Sequence, residues 1–404
     1  MNRDIVQKEA KELLLKYNNV LLRWATGVGK SLAFIKMQES INPKKVYIVV
    51  AERAHIDNWK KDYIKHGKES LLANVEIFCY ASLKKYVNTN ADMICLDEGH
   101  HALSLKRMEA LQSIQTNKII LLSATLNKNH QLLLNSTLGQ FHEHTVSLKQ
   151  AISNNILPKP TINLVPLILP EDSVTTTVFT RGKSTKRKTI NCNYKDRYTY
   201  INNKDTYPDL HLIITCTHRE KNTYLEGMIE FYKRRYFSTK KEFFKTKWLL
   251  LGSERKRFLS EAKTNTINQL INKITDKRFI CFSGSIEQAT ILSNNTNVIH
   301  SKVKNSLDII NSFNEGNISH LFVVEMLKEG QNLNNIEIGI ISQLDGDSGA
   351  FIQKVGRVMR AENPVIFIFY YKNTRDEDYL NNVLQEVDKD HICIIEDLDN
   401  FNIN

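Results

Sequence analysis

Residues 20–37, VLLRWATGVGKSLAFIKM, contain the stretch that determines the fold of the first part of the chain. The apolar run Val20–Trp24 predicts a buried strand, and the apolar spacing after Ser31 predicts a helix. Gly27 and Gly29 lie between the two and allow the tight turn that joins a strand to a helix N-terminus. Backbone N–H groups in such a turn bind phosphate, so the stretch predicts a phosphate-binding loop.

Two side chains of this loop carry the chemistry that a bound nucleotide requires. Lys30 is expected to reach the β- and γ-phosphate oxygens, and the Ser31 hydroxyl is expected to ligate Mg²⁺. Trp24 stands where the full pattern has glycine, so a loop that matches by chance is the alternative. The nucleotide contacts predicted in this loop are Thr26, Gly27, Val28, Gly29, Lys30 and Ser31.

Short apolar runs recur along the chain, and each is followed by a polar stretch of helical length. Runs of β-branched and aromatic residues in this setting predict parallel strands that are buried on both faces. The runs form two separate series, so we predict an α/β protein with two doubly wound lobes. The runs are Val20–Trp24, Val46–Val50, Met93–Leu96, Ile119–Leu122, Phe279–Phe282, Leu321–Val324, Ile336–Ile341 and Pro364–Tyr371.

The two lobes are predicted to meet at a proline-containing linker, QAISNNILPKPTI, at residues 150–162. We therefore assign residues 1–157 to the first lobe and residues 158–404 to the second. Residues 171–245 interrupt the strand–helix rhythm. They are predicted to form a basic insertion, or accessory subdomain, in the second lobe.

Two further strand ends carry polar residues that suit nucleotide chemistry. Asp97 and Glu98 follow the apolar run Met93–Leu96. An aspartate there can hold Mg²⁺ through water, and the neighbouring glutamate can polarise the attacking water. An ordinary acidic loop is the alternative. Ser123 and Thr125 follow the next apolar run, where hydroxyl groups can relay the state of the nucleotide by hydrogen bonding.

Three segments of the first lobe resemble the motifs of a known family. The sequences ATGVGKS at 25–31, DEGH at 97–100 and SAT at 123–125 resemble motifs I, II and III of the superfamily 2 helicases. These are the DEAD/DEAH-like ATPases. The resemblance implies two RecA-like lobes that bind ATP and Mg²⁺ between them, with Ser31 and Asp97 as metal ligands.

The same family predicts motifs in the second lobe, and matching segments are present. QKVGRVMR at 353–360 resembles motif VI, EGQN at 329–332 resembles motif V, and residues 279–283 resemble motif IV. Arg360 is then the arginine finger that reaches the γ-phosphate across the cleft, and Arg357 also faces it. The resemblance assigns five residues to catalysis: Lys30, Asp97, Glu98, Arg357 and Arg360. It assigns Gly330 to nucleotide binding. It assigns Gln353, Ser123 and Thr125 to coupling between the nucleotide and the rest of the protein.

Two single residues complete the resemblance. Gln7 stands 30 − 7 = 23 residues before Lys30, where the family places a glutamine that reads the adenine edge. An exposed helix residue is the alternative. Arg53 lies in a segment that resembles motif Ia, which contacts the nucleic-acid backbone, and a surface arginine on a loop is the alternative.

The positive charge is concentrated in the middle of the chain. With 55 basic and 44 acidic residues the net charge is +11. Residues 1–157 contribute +7, residues 158–262 contribute +10 and residues 263–404 contribute −6. Basic patches favour polyanions, although charge for solubility alone is the alternative. The nucleic-acid contacts predicted in the middle third are Arg181, Lys183, Lys186, Arg187 and Lys188, and an aromatic–basic tract follows at 231–237.

Composition excludes several other classes of protein. Six cysteines without a C-x-x-C pair argue against a disulfide framework or a zinc cluster and fit a reducing cytoplasm. No stretch approaches the ~20 apolar residues that span a bilayer, and the N-terminal residues lack a secretory signal. Outside 97–100 we find no paired metal-binding carboxylates, which disfavours a nuclease.

The sequence therefore predicts an ATP-dependent helicase that acts as a monomer on nucleic acid, with DNA as the expected substrate. A duplex translocase or branch-migration motor and an RNA helicase are the alternatives. Low proline (7) and glycine (15) suit an AT-rich viral genome, and the pattern looks closest to compact bacteriophage helicases. The expected location is the cytoplasm, that of a bacterial host if the protein is viral.

Overall fold

The computed structural model describes residues 3–170, 173–180, 187–193, 210–303, 305–324, 333–346, 348–359 and 361–401. Strands at 173–180, 187–193 and 210–217 are described by their backbone. Among the described helices, none combines the length and hydropathy that crossing a bilayer requires.

The first lobe is built around one parallel sheet. Its elements are α1 (Arg3–Lys16), β1 (Asn19–Trp24), α2 (Lys30–Ile41), β2 (Val46–Val50), α3 (Arg53–Lys65), β3 (Val75–Cys79), β4 (Asn90–Asp97), α4 (Leu105–Gln112), β5 (Gln115–Ser123), α5 (Lys128–Leu138), β6 (His142–Val146) and α6 (Leu148–Ser153). The strand order is β3-β2-β4-β5-β1-β6, and every pair is parallel. Because β4, β5 and β1 are neighbours, the three polar loops after these strands meet at one edge of the sheet.

An accessory part follows the next strand, β7 (Thr161–Leu167). It consists of β8 (Ser173–Thr180), β9 (Arg187–Asn193), β10 (Leu210–Thr217), α7 (His218–Thr239) and α8 (Glu242–Ala262). The three strands pair antiparallel in the order β10-β8-β9. Helices α7 and α8 pack side by side as a hairpin. The accessory part therefore extends to Ala262, beyond the predicted limit at residue 245, because α8 continues without a break across that position.

The second lobe contains another parallel sheet. Its remaining elements are α9 (Thr264–Lys273), β11 (Phe279–Ser283), α10 (Ile286–Leu292), β12 (Val298–Ile299), α11 (Ser306–Asn314), β13 (His320–Val324), β14 (Ile338–Ile341), α12 (Ser348–Val358), β15 (Val365–Tyr371), α13 (Arg375–Val383) and β16 (Ile392–Ile394). The order is β12-β13-β11-β14-β15-β7-β16. All pairs are parallel. Both predicted lobes are therefore present, and the apolar runs named above form or lie within their central strands.

Strands β3, β6, β12 and β16 were not predicted, because they lie at sheet edges. Strand β7 was not predicted either, although it lies inside its sheet, because its first residues fall in the segment read as a linker. The side chains of β6 (HEHTV) are mostly polar, and β12 has only two residues. An edge strand needs no apolar run, since only part of its surface is covered by the core. The interior strands behave differently: all five residues of β2 and of β11 are buried.

A buried ion pair holds the base of the α7–α8 hairpin to the second lobe. Lys263 Nζ lies 2.5 Å from Asp376 Oδ2, and both side chains are almost fully buried. The same ammonium group donates to the backbone oxygen of Ser342 at 2.9 Å and to Gln343 Oε1 at 3.0 Å. Burial lowers the pKa of Lys263, and Asp376 opposes that effect. The pair therefore ties the segment after α8 to the ends of β14 and β15.

Asp376→Asn is expected to destabilise the second lobe by ~3–5 kcal/mol, because the Lys263 charge stays buried without its partner. Urea unfolding followed by circular dichroism measures the change. Asp378→Asn, which removes the exposed partner of Arg375 on the same helix, is the matched control and should cost under about 1 kcal/mol. Equal losses in the two variants would contradict the role of the buried pair.

Candidate functional site

The loop after β1 has the backbone geometry that only glycine adopts easily. Gly27 has φ 90° and Gly29 has φ 103°, both in the left-handed region. Gly29 is the residue that precedes α2, so the helix begins at Lys30 directly after the turn. The N-terminal N–H groups of α2 therefore face the loop opening, where the partial positive charge of the helix end favours phosphate.

Gln7 supports this loop from behind. Its side chain is 2% exposed, and its Nε2 donates to the backbone oxygen of Gly29 at 2.9 Å. A Cβ at Gly29 would lie 2.9 Å from that same nitrogen. The alternative that Gln7 is an exposed helix residue is therefore wrong. Its contact with an adenine stays a prediction.

Trp24, which replaces a glycine of the full motif, is fully buried behind the loop. Its Nε1 donates to His144 Nδ1 at 2.9 Å, which ties the end of β1 to β6. Lys30 Nζ donates to the backbone oxygen of Trp24 at 3.0 Å. The lysine is thus folded over the loop, in the position from which it can neutralise a bound phosphate. The tryptophan therefore leaves this loop geometry in place.

Helix α3 supplies Asp62, which sequence reasoning missed, and gives Trp59 of the motif Ia segment a contact that was not predicted. Ser31 Oγ donates to Asp62 Oδ2 at 2.7 Å, and Trp59 Nε1 donates to Asp97 Oδ2 at 2.8 Å. Trp59 and Asp62 lie three residues apart and so share one face of the helix. Both predicted metal ligands, Ser31 and Asp97, are therefore held by α3. Trp59 follows the segment that resembles motif Ia, whereas only its spacing of three residues from Trp59 could have pointed to Asp62.

Asp97 and Glu98 lie where β4 ends. The Asp97 backbone oxygen accepts a hydrogen bond from Tyr80 Oη at 3.0 Å, and burial raises the pKa of Tyr80 well above its usual value. Glu98 has φ 47°, a left-handed conformation that turns the chain sharply after the strand. His100 Nδ1 lies 3.6 Å from Glu98 Oε2. The loop thus presents two carboxylates at the sheet edge, with an imidazole beside the second.

Ser123 and Thr125, in the SAT segment at 123–125, continue the polar contacts that begin at Glu98 and His100. The backbone N–H of Thr125 donates to Ser123 Oγ at 3.2 Å, and Thr125 Oγ1 lies 3.5 Å from His100 Nδ1. A continuous chain of polar groups therefore runs from Glu98 through His100 to Thr125. This arrangement agrees with the coupling role of Ser123 and Thr125, which stays a prediction.

Residues of both lobes line one cavity of about 610 Å³ at this edge. The second lobe contributes Gln353 and Arg357 from α12, both of them buried side chains. Gln353 Oε1 has no hydrogen-bond partner among the described residues. The first-lobe lining includes Arg3, Thr26, Gly27, Gly29, Lys30, Ser31, His55, Trp59, Asp62, Lys65, Asp97 and Glu98.

The two lobes lie close together at Gly356. A Cβ at this position would lie 2.7 Å from Thr26 Cβ and 3.4 Å from the Thr26 backbone oxygen. Glycine is therefore the residue that allows α12 to lie directly against the phosphate-binding loop. This contact sets the distance between Arg357 and the loop.

The lining suits a nucleoside triphosphate with a divalent cation. Lys30 and Arg357 supply positive charge for phosphate oxygens, from one lobe each. Ser31 and Asp97 offer hard oxygen ligands. Among the described residues no three His, Cys, Asp or Glu side chains group as a metal site.

A second cavity of about 490 Å³ also lies between the lobes. It is lined by His100 and Thr125 of the first lobe and by Gly349, Ala350 and Gln353 of the second. Gln353 lines both cavities, so a change at the first cavity can reach the second through this one side chain.

Several predicted residues lie outside this site or outside the described part of the chain. Arg360 and Gly330 belong to residues that are not described, as do Arg181, Lys183 and Lys186. Arg187 and Lys188 begin β9, whose side chains are not described. Arg53 is exposed at the first turn of α3, and Val28 is buried inside the loop.

Comparison with known proteins agrees with this fold. Residues 262–362 match the family model of the helicase conserved C-terminal domain. The Pyrococcus furiosus Hef helicase domain is 14% identical, with 94% of this chain and 97% of that chain covered and a TM-score of 0.50. S. cerevisiae Dbp5 bound to RNA and ADP BeF3 is 11% identical, with 97% and 89% covered and a TM-score of 0.60.

Curated relatives add a nucleotide-hydrolysing protein. Nucleoside triphosphatase I of the Choristoneura fumiferana and Amsacta moorei entomopoxviruses is 23% identical over 175 residues. The match covers 35% of this chain and 27% of those relatives, so the chain spans about a quarter of their length.

Two RecA-like lobes share one cavity, and residues 262–362 of the second lobe match the helicase conserved C-terminal domain. The predicted α/β fold with two such lobes is confirmed. The resemblance to the superfamily 2, DEAD/DEAH-like helicases that the motifs indicated is likewise confirmed. A viral origin in bacteriophages stays a prediction.

Gly356→Ala is expected to lower the rate of nucleotide hydrolysis by up to about 10²-fold, because the added methyl group pushes α12 away from Thr26. Nucleotide affinity of the first lobe should change little. A steady-state hydrolysis assay and a fluorescent-nucleotide titration measure the two quantities. Gly252→Ala is the control, because a Cβ there meets no atom within 4 Å. An unchanged rate in Gly356→Ala would show that this close approach has no part in catalysis.

Proposed function

We propose that this protein is an ATP-dependent nucleic-acid helicase that uses ATP and Mg²⁺ to move along DNA and separate its strands. The observation that carries the proposal is the shared cavity, in which Lys30 and Glu98 of one lobe face Gln353 and Arg357 of the other. A site divided between two lobes binds its nucleotide fully only when the lobes close, which links hydrolysis to lobe movement.

Each residue of the cavity has a defined task in this proposal. The N–H groups at the start of α2 and the Lys30 ammonium group hold the β- and γ-phosphates. Ser31 and Asp97 would hold Mg²⁺ when it is bound, and the hydrogen bonds of Asp62 to Ser31 and of Trp59 to Asp97 orient both ligands. When bound, the ion neutralises charge that develops on the transferred phosphoryl group.

Glu98 then acts on the water that attacks the γ-phosphate. Its carboxylate orients the water and accepts its proton, while His100, 3.6 Å away, stabilises the position of the carboxylate. Arg357 approaches from the second lobe and stabilises the negative charge of the transition state, and Arg360 has the same task at the end of that segment. Hydrolysis removes the phosphate that held the lobes together, so the cleft opens again.

Nucleic acid is the expected substrate because the similar structures are helicases and the chain carries an excess of basic residues. DNA is the proposed form. RNA is the second candidate, since the Dbp5 structure with this fold contains RNA. Strand displacement on forked, 3′-tailed and 5′-tailed DNA and RNA tests the proposal. Displacement that requires ATP is the expected result, whereas ATP hydrolysis without displacement would indicate a translocase instead.

Glu98→Gln is expected to reduce ATP turnover by about 10²-fold or more and to leave ATP binding nearly unchanged, because only proton acceptance is removed. Glu109→Gln, an exposed carboxylate of α4, is the control and should hydrolyse at the wild-type rate. Single-turnover hydrolysis and equilibrium nucleotide binding separate the two effects. Near-wild-type turnover in Glu98→Gln would remove Glu98 from this role.

A further inference from the structure

The hairpin of α7 and α8 projects away from the second lobe. Its buried residues lie only near its base, at Asn222 and Leu225 of α7 and between Arg255 and Ser260 of α8. No side chain from residue 229 to residue 250 is buried. At 1.5 Å per residue, this outer half, which we call the arm, extends roughly 15 Å beyond the base.

Aromatic rings hold the two helices of the arm together. Tyr232 lies 6.3 Å from Phe244, and Trp248 lies 6.2 Å from Tyr236 and 6.1 Å from Phe237, between ring centroids. These contacts run across the hairpin, from α7 to α8. The arm is therefore a self-supporting element rather than a segment that packs on the lobe.

The arm also exposes aromatic surface in a way that the rest of the described chain does not. Among residues whose side chains are described, all exposed aromatic side chains lie on this hairpin. They are Tyr224, Phe231, Phe237 and Phe243. Phe237 is 55% exposed and Phe243 is 60% exposed, on opposite sides of the turn between the helices. Exposed apolar groups that cluster in this way mark an interaction site.

The charge of the arm identifies the partner. Residues 229–250 contain seven basic and two acidic residues, a net charge of 7 − 2 = +5. Both acidic residues are already paired, Glu230 with Arg234 and Glu242 with Lys245. Five basic residues have no ion pair among the described residues. They are Lys233, Arg235, Lys240, Lys241 and Lys247.

We propose that the arm binds single-stranded nucleic acid, with unpaired bases stacked on Phe237 and Phe243 and phosphates on the surrounding lysines. This inference rests on the proposed function, which makes a polynucleotide the substrate. Single strands offer free base faces, whereas the faces of bases in a duplex are covered by their neighbours.

The base of the hairpin connects the arm to the nucleotide site. Lys256 of α8 forms an ion pair with Asp345, and Lys354 of α12 approaches the same carboxylate at 3.3 Å. Burial raises the pKa of Asp345, but the two lysines outweigh that effect and hold it below its usual value. Lys354 is the neighbour of Gln353, which lines both cavities. A strand held by the arm is thus attached to the helix that completes the ATP site.

The test is binding of the full chain to fluorescein-labelled single strands of twenty thymidine or uridine nucleotides, measured by anisotropy. Phe237→Ala with Phe243→Ala is expected to weaken binding about tenfold or more, because neither ring can then stack on a base. Replacement of both by Trp should retain binding, since the ring face remains. Basal ATP hydrolysis should not change, because neither ring lines the nucleotide cavity. Phe243→Ala alone leaves every cross-hairpin ring contact named above in place, so it separates lost stacking from a loosened arm.

Charge is tested separately by the salt dependence of binding. Lys240→Gln, Lys241→Gln and Lys247→Gln together should reduce the slope of log K against log salt by about 0.7 for each phosphate that the variant no longer neutralises. The control variant replaces three exposed lysines of the first lobe, namely Lys84, Lys85 and Lys106. Tighter binding of the thymidine strand would indicate DNA as the preferred polynucleotide, and tighter binding of the uridine strand would indicate RNA.

Two results would overturn the proposal. In the first, both sets of arm variants bind the strand with wild-type affinity and wild-type salt slope, and nucleic acid still stimulates ATP hydrolysis. The role of the arm would then be wrong, and the proposed function would stand. The other is an arm variant that changes sedimentation from dimer to monomer and still binds the strand as the wild type does, which would assign the surface to a second copy of the chain. If the wild-type protein hydrolyses ATP but neither binds nor responds to any polynucleotide, the proposed function itself fails.

Discussion

The approach of Gly356 to Thr26 is the contact on which the site depends. It brings a helix of the second lobe against the loop of the first, with no space for a side chain between them. Arg357, the next residue of that helix, therefore lines a cavity that is otherwise formed largely by the first lobe. The same helix carries Gln353, which lines both cavities, and Lys354, which shares the Asp345 carboxylate with Lys256 of the accessory hairpin. One short helix thus lies beside both cavities and is linked through Asp345 to the base of the hairpin.

Strand order explains why the first-lobe residues meet at that helix. β1 lies between β5 and β6, and β4 lies beside β5, so three loops distant in sequence open at one sheet edge. The sequence allowed this to be predicted, because strand, glycine turn and helix are local patterns and because buried parallel strands are continuous apolar runs. The shared polar edge then follows from the rule that ligands bind at the carboxyl ends of parallel strands.

Other parts of the site could not be predicted, for a physical reason that the residues share. Gln7 was named as a nucleotide contact and Trp59 with the motif Ia segment, but the support that Gln7 gives the loop was not predicted. The hold of Trp59 and Asp62 on the predicted metal ligands was not predicted either. Each of these acts through a contact between segments that are far apart in sequence, and its residue type is not diagnostic on its own. The same holds for the limit of the accessory part, because an amphipathic helix can continue from an exposed arm into a packed base without a change in its local pattern.

The central claim is that nucleotide and nucleic acid act on one equilibrium between open and closed lobes. Binding is then reciprocal, so each ligand must change the affinity for the other by the same factor. The direct measurement is the Kd of a non-hydrolysable ATP analogue with Mg²⁺, in the absence and in the presence of a saturating single strand, together with the converse titration. We expect both affinities to rise by one common factor of about five or more. Equal affinities with and without the second ligand would contradict the account, because the shared cavity would then not link the two sites.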